Sequence, residues 1–269
     1  MFRNAIFAGG GSRCMWQLGF WDGATEAGLG LLDTVEYAAS TSAGCAIATA
    51  ALLDRGREAL DAFKVLTDGN PSNIHWSNLR PWVDAPLLPH MGMYRRCLEE
   101  LLGEEDLRAL EGRTLEFLMA RVPGPLPGPL AVLTAFSVYG LEKHLTGAIH
   151  TSWTRRLGFH PLVQSNRDAE TPQDLVEMIL AASCVPPVLP APPYRGQRVL
   201  DGSVIDAAPA HLADGREGET LVLLSKRYRR PLPRRPGRVY VQPSEAIRID
   251  KFDYADPEGL ETTYPVSYT

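Results

Sequence analysis

Two short stretches of this chain can do chemistry together. Ile6-Phe7-Ala8-Gly9-Gly10-Gly11-Ser12-Arg13 and Ala39-Ser40-Thr41-Ser42-Ala43-Gly44 each begin as a short apolar run, break into small residues and open into apolar helical spacing. Each reads as strand, tight turn and helix. Three consecutive glycines put no Cβ in the way of their own amides, so Gly9, Gly10 and Gly11 offer a row of N–H donors to an anion. Ser42 stands at the mouth of a helix, where the dipole favours negative charge. A hydroxyl nucleophile beside an anion-binding nest is what acyl transfer requires.

Each feature also has a plainer reading. A serine at a helix start is by default an N-cap. Here a strand precedes Ser42, and Gly44 with other small residues follows it, as a strand-to-helix elbow demands. The glycine loop can be a simple turn or a phosphate cradle. A dinucleotide fingerprint would need glycine at position 14, which is Cys14, and no Gly-Lys-Ser/Thr run exists for a P-loop. Asp201-Gly202, at the end of the apolar pair Val199-Leu200, is by itself only a turn signal.

Taken together, the motifs resemble those of the patatin-like phospholipases. Gly9-Gly10-Gly11-Ser12-Arg13 is similar to that family's oxyanion loop, Ser40-Thr41-Ser42-Ala43-Gly44 to its nucleophile elbow, and Asp201-Gly202-Ser203 to its Asp-Gly-[Gly/Ala] motif. They occur in the family's order, and the resemblance runs from about residue 4 to residue 210. It implies hydrolysis of a lipid or other acyl ester through an acyl-enzyme on Ser42. Asp201, 159 residues beyond Ser42, is the implied base, in a dyad that works without histidine. An aspartate is a weak base, so its site should be partly desolvated. The amides around Gly10 and Gly11 would bind the oxyanion, and Arg13 would hold the loop by hydrogen bonding. No metal or organic cofactor is implied.

One departure is Ser40, which stands where the elbow has its first glycine and packs under the strained turn. It motivates one alternative, a catalytically impaired member that binds lipid or a partner. A nucleotide-binding protein using the glycine loop as a nest is the other. A Ser-His-Asp triad is the rival mechanism, with His75, His90, His144, His150, His160 and His211 as candidates. Only His211 follows in the order nucleophile, acid, base. It lies ten residues past Asp201 in the helix-like Pro209-Ala210-His211-Leu212 and reads as a surface or core histidine.

The elements that must position these residues imply an α/β fold with three layers, α/β/α, around a central, mostly parallel sheet. Asn4–Ala8 and Val35–Ala39 read as strands, Cys14–Ala27 as a helix, and Ala43–Arg55 as a helix rich in small residues that Gly56 ends. Arg57–Leu66 is amphipathic. Asp68–Met93, with Trp76 and Trp82, reads as a long excursion over the surface, its tryptophans either core or part of an acyl-chain channel or lid. Tyr94–Leu102 and Thr114–Arg121 show helical spacing. Leu130–Phe136 reads as a buried strand pairing with Leu141–Thr146 across Tyr139-Gly140. The spacing predicts a helix over Pro172–Ser183 capped by Thr171, an extended segment over Cys184–Pro193, and short strands at Val199-Leu200, Thr220–Ser225 and Arg238–Gln242. The chain reads as one domain over 1–269, with a core about 4–242 and a C-terminal surface segment over 243–269.

Bulk properties bound the rest. With 269 residues, 45% hydrophobic and 22% charged, the chain can bury a full core. A net charge of −5 argues against general nucleic-acid binding. No apolar run approaches a membrane span, and Met1-Phe2-Arg3-Asn4 leads at once into the first strand, leaving no signal peptide to cleave. Cys14, Cys45, Cys97 and Cys184 lack metal spacing and read as buried free thiols, which fits a reducing cytoplasm. Peripheral membrane contact and secretion by a signal-independent route are the alternatives. The segment from Lys226 to Arg238 carries seven positive charges, read as a solvated loop or as a contact for anionic headgroups. No particular protein partner is implied.

Overall fold

Strand β1 (Phe2–Phe7) sends its side chains alternately into two cores. Ala5 and Phe7 join a large cluster on one face, and Ile6, with Ala8 just beyond, joins another on the opposite face. A strand buried this way needs helices above and below it. The computed structural model describes residues 1–80 and 82–264, so Pro81 of the 68–93 excursion and the last five residues of the 243–269 segment lie outside it.

After β1 come α1 (Met15–Glu26), α2 (Leu31–Thr34), β2 (Tyr37–Thr41), α3 (Gly44–Leu52), α4 (Gly56–Asp68), α5 (His90–Leu101) and α6 (Glu104–Ala109). Then follow β3 (Thr114–Arg121), α7 (Gly128–Thr146), β4 (His160–Ser165), α8 (Pro172–Ala182), β5 (Val199–Asp201), β6 (Glu219–Leu223), β7 (Arg238–Val241) and α9 (Pro257–Thr263). The strands form a sheet of order β4-β3-β2-β1-β6-β7, with β5 also pairing to β3. Every pairing from β3 through β7 is parallel; β4 and β5 run antiparallel to β3. This is a mostly parallel sheet flanked by helices, the three-layer α/β/α architecture.

Several elements fall where the sequence puts them. Thr171 caps α8, its hydroxyl accepting from the Asp174 amide, and Pro172 opens the helix. β5 ends at Asp201. The four cysteines are buried and free.

Other expectations are corrected. Thr114–Arg121 is a strand, not a helix. Leu115, Phe117, Leu118, Met119 and Ala120 are all fully buried, and a run buried on both faces carries no period that separates strand from helix. Leu130–Phe136 and Leu141–Thr146 are not a hairpin but parts of one helix, α7, with Tyr139-Gly140 in its interior. This helix buries Ala131, Ala135 and Glu142 while Leu130, Leu133, Leu141 and Leu145 face outward, so its apolar pattern misleads. The edge strand β4 is half-exposed and holds Pro161, which weakens its signal. β2 begins two residues later than Val35, and Gly56 opens α4 instead of ending α3. Trp76 and Trp82 are 66% and 78% exposed, so neither is core.

Part of the C-terminal segment is interior. Ile249, Tyr254 and Leu260 are buried, and the chain between them crosses the glycine loop.

Candidate active site

The elbow forms where β2 ends and α3 begins. Ser42 has φ of 57°, a left-handed backbone that costs a non-glycine residue about 1–2 kcal/mol. The surroundings impose it: the Ser42 amide donates to the Ala182 carbonyl at the end of α8, and its carbonyl accepts from the Cys45 amide at 2.9 Å. Gly44 lets α3 press on the end of β1, since a Cβ there would lie 2.6 Å from the Phe7 carbonyl oxygen and 2.9 Å from that of Ala8. Ser40 sits one step back, inside β2, only 1% exposed. Its hydroxyl donates to the Glu116 carbonyl, and strand register is kept opposite Phe117. A side chain at this position is therefore housed without displacing the elbow.

Asp201 reaches Ser42 by way of β3. β2 pairs with the first part of β3 and stops at Thr41 opposite Leu118. β5 pairs with the last part of β3, coming from the other direction, and stops at Asp201 opposite Met119. The two strand ends meet head to head along one neighbour. Gly202 turns the chain at this junction, where any Cβ would collide with the Leu118 carbonyl and the Thr41 hydroxyl. Asp201 is 3% exposed. Burial pushes its carboxyl above the ordinary value; hydrogen bonds from the Ser42 hydroxyl and from the amide and hydroxyl of Ser203 pull it partly back, and the charge of Lys251 helps. The Ser203 amide donates to Asp201 Oδ1 at 2.7 Å.

The glycine loop lies directly against Ser42: a Cβ on Gly9 would be 2.8 Å from the Ser42 Cβ and 2.6 Å from the Ser203 Oγ. It is pinned at both ends. The Gly9 amide donates to the Ala207 carbonyl at 2.9 Å, its carbonyl accepts from the Ser225 hydroxyl at 2.6 Å, and the Ser12 amide donates to the Lys251 carbonyl at 2.9 Å. Arg13 secures the strand of chain behind it, donating from Nε to the Ile249 carbonyl at 2.8 Å and pairing with Asp250. Among the described residues, the amides of Gly10 and Gly11 have no acceptor. Nor has that of Ala43, at the start of α3. Ala43 carries no motif signal of its own in the sequence, yet its N–H follows directly on the elbow serine and is aimed at the site.

His211 is elsewhere. Its Nδ1 lies 3.3 Å from Asp206, which also pairs with His150 at 3.1 Å, and among the described residues no histidine hydrogen-bonds Ser42 or Asp201. No group of three or more His, Cys, Asp or Glu side chains among the described residues is placed to hold a metal. No described helix is long and apolar enough to cross a membrane.

An apolar cleft opens beside the site. It starts at Gly11 and Ala43 and runs between α3, α4 and α5 past Ile47, Ala50, Phe63 and Leu98, enclosing about 700 Å³ of space, open solvent at its mouth included. No described residue of the 68–93 excursion lines it; the lining comes from α3, α4, α5 and the glycine loop. Of the basic segment, Arg227, Arg229, Arg230, Arg234 and Arg235 are exposed, while Arg238 pairs with Asp214 and Lys226 turns inward.

The family model described as patatin-like phospholipase matches residues 5–214. No curated protein matches the chain. The match takes in all three motifs and most of the described sheet, and the chain belongs to the patatin-like phospholipase family, whose members are lipid acyl hydrolases.

Proposed function

We propose that this chain is a serine acyl hydrolase acting on lipid esters through a Ser42–Asp201 dyad. The observation that carries the reading is the strained, left-handed Ser42 next to a fully buried carboxyl on the adjoining strand end. Asp201 takes the proton of the Ser42 hydroxyl as its oxygen attacks the ester carbonyl. The negative charge that develops on the carbonyl oxygen falls to the amides of Gly10, Gly11 and Ala43; losing one such donor typically costs about 10²–10³ in rate. Asp201 then returns the proton to the departing alcohol, leaving an acyl group on Ser42. In the second half the same carboxylate draws a proton from a water whose oxygen attacks the acyl carbonyl, then hands that proton to the Ser42 oxygen as the bond to the acyl group breaks and the acid departs. Burial of Asp201 serves both halves, because a carboxylate that is raised in proton affinity is a stronger base.

The apolar cleft starting at Gly11 and Ala43 suits the acyl chain. Hydrocarbon entering it leaves water, at about 0.8 kcal/mol per CH₂. The exposed arginines of the 226–238 loop suit contact with an anionic lipid surface, at roughly 1 kcal/mol per residue close to the membrane. Equal binding to anionic and neutral vesicles would retire that contact. For the reaction itself the test is mass spectrometry after a fluorophosphonate probe. One adduct, on Ser42 and absent from Ser42→Ala, is expected. An unlabelled Ser42 in folded protein would leave a lipid-binding protein without this chemistry.

A further inference from the structure

Asp206 is a buried carboxylate that the dyad does not use, just beyond Asp201 in the chain and only 4% exposed. Its two oxygens collect donors from three directions. His150 Nδ1 lies 3.1 Å from both, His211 Nδ1 lies 3.3 Å from Oδ2, and the Ala208 amide donates to Oδ1 at 3.1 Å. Burial works to raise the carboxyl, yet the hydrogen bonds from the two histidines prevail and keep it an anion. A carboxylate only accepts, so both histidines carry a proton on Nδ1. His150 Nε2 in turn lies 3.1 Å from the Tyr240 hydroxyl on β7.

Charge-assisted bonds to a buried group stiffen the turn it sits in. On one side, the amides of Ile205 and Asp206 both donate to the Gly202 carbonyl, at 2.8 and 3.0 Å. On the other, the carboxylate fixes the Ala208 amide, and between them the Ala207 carbonyl accepts from the Gly9 amide at 2.9 Å. One short piece of chain, 201–208, thus carries the dyad carboxylate at its start and the anchor of the glycine loop near its end. The cluster is also bolted to the strands that deliver the loop. Tyr240 pairs opposite Val222 and Val222 opposite Ile6, while Ala8 and Ala208 share one apolar cluster.

This bond decides which amides of the loop are left for a ligand. That of Gly9 is spent on Ala207, whereas those of Gly10 and Gly11 have no acceptor among the described residues. We propose that Asp206, held by His150 and His211, is a positioning residue that sets the Gly10 and Gly11 amides against the dyad and so supports the oxyanion. It acts through the Ala207 carbonyl. Removing His211 alone leaves His150 and the Ala208 amide on the carboxylate, so the turn survives that change. The catalytic half of the proposal rests on the acyl-hydrolase reading; the positional half does not.

Two readouts on Asp206→Ala and Asp206→Asn test it. The first is hydrogen exchange of the peptide spanning 8–12, followed by mass spectrometry. In Asp206→Ala the Gly9 amide should exchange about tenfold or more faster, while Asp206→Asn keeps an acceptor for the Ala208 amide and should stay within about threefold of wild type. The second is hydrolysis of an ester and of its thionoester, measured well below each variant's Tm. Asp206→Ala should lower kcat on the ester by about 10–10² with KM within about twofold, because the oxyanion contacts are made in the transition state. A thionoester develops its charge on sulfur, a weak acceptor, so its rate should fall less and the ester-to-thionoester ratio should shrink. Asp206→Asn should restore both kcat and the ratio.

A merely structural Asp206 would lower Tm and leave kcat and the ratio of the folded protein unmoved. If Asp206→Ala does not fold, the double variant His150→Ala/His211→Ala strips both side-chain donors and carries the same expectations. Faster exchange with an unchanged kcat would overturn the catalytic half, and unchanged exchange would overturn the whole. Faster exchange in a protein whose wild type hydrolyses neither ester and takes no fluorophosphonate would sink the hydrolase reading and leave the positional half standing.

Discussion

Thr41 and Asp201 face consecutive residues of one strand: Thr41 pairs opposite Leu118 and Asp201 opposite Met119. β3 is thus the ruler that sets the distance between the nucleophile elbow and the carboxylate. Two strands of opposite direction end on it head to head, and the residue after one of them is Ser42. Ser42 and Asp201 are thus positioned by a backbone ladder, which suits the proton transfer proposed between them, a step that tolerates little misplacement.

Asp201→Asn should lower kcat/KM by about 10²–10⁴ while leaving Tm unchanged or higher. The sign follows from burial, which raises the Asp201 carboxyl above the ordinary aspartate value of 3.8. Folded protein then holds a proton that the unfolded chain has lost, so stability falls as pH rises from 3.8 to the raised value and stays lower above it. Asparagine removes that loss. For the wild type, the acid limb of kcat/KM on a neutral ester should lie above the ordinary carboxylate range, since activity requires the ionised base and fades as pH drops through the raised pKa. A limb at the ordinary aspartate value would argue that the base is another group.

Gly202→Ala tests the junction itself. Its Cβ would run into the Leu118 carbonyl and the Thr41 hydroxyl, neither of which can move without shifting a strand. Overpacking of this kind costs about 1–3 kcal/mol, to be read from denaturant unfolding. The loss in kcat should be much larger than the loss in KM, because the displaced part is the Asp201 turn and not the cleft. A variant with native stability and native kcat would show that the close approach is not needed.

Ala50→Leu tests the cleft. Ala50 lies on α3, part-way along the apolar lining. Filling the space there should leave short-chain esters turning over and penalise long ones, by about 0.8 kcal/mol for each CH₂ kept outside. The check is kcat/KM across a series of p-nitrophenyl esters; an unshifted chain-length profile would place the acyl chain elsewhere.

His211→Ala separates the dyad from a triad. Hydrolysis should persist at close to the wild-type rate, since His211 serves Asp206 and not Ser42. Stability should change instead. Burial raises the Asp206 carboxyl, but hydrogen bonds from His150 and His211 outweigh it and hold the pKa below 3.8. The stabilisation is therefore present above 3.8 and lost as pH falls through the depressed folded value. The variant's Tm deficit should be visible at neutral pH and shrink in acid. A collapse of hydrolysis to background would restore the triad.

The sequence by itself determined the three motifs, the α/β class and the helices and strands bounded by glycine or proline, such as α8 with Thr171 and Pro172 or β5 ending at Asp201-Gly202. Those signals are local: a cap, a turn or a missing Cβ acts on its immediate neighbours. β3 and α7 escaped because their patterns depend on what covers them. A strand buried on both faces has no period, and a helix seated on Ala131 and Ala135 with leucines outward has the wrong one. Only the tertiary structure decided that Thr41 and Asp201 would pair opposite consecutive residues of β3, and that the cleft would open between α3, α4 and α5. These are contacts between residues far apart in the chain, and no spacing along a sequence encodes a distance across a sheet.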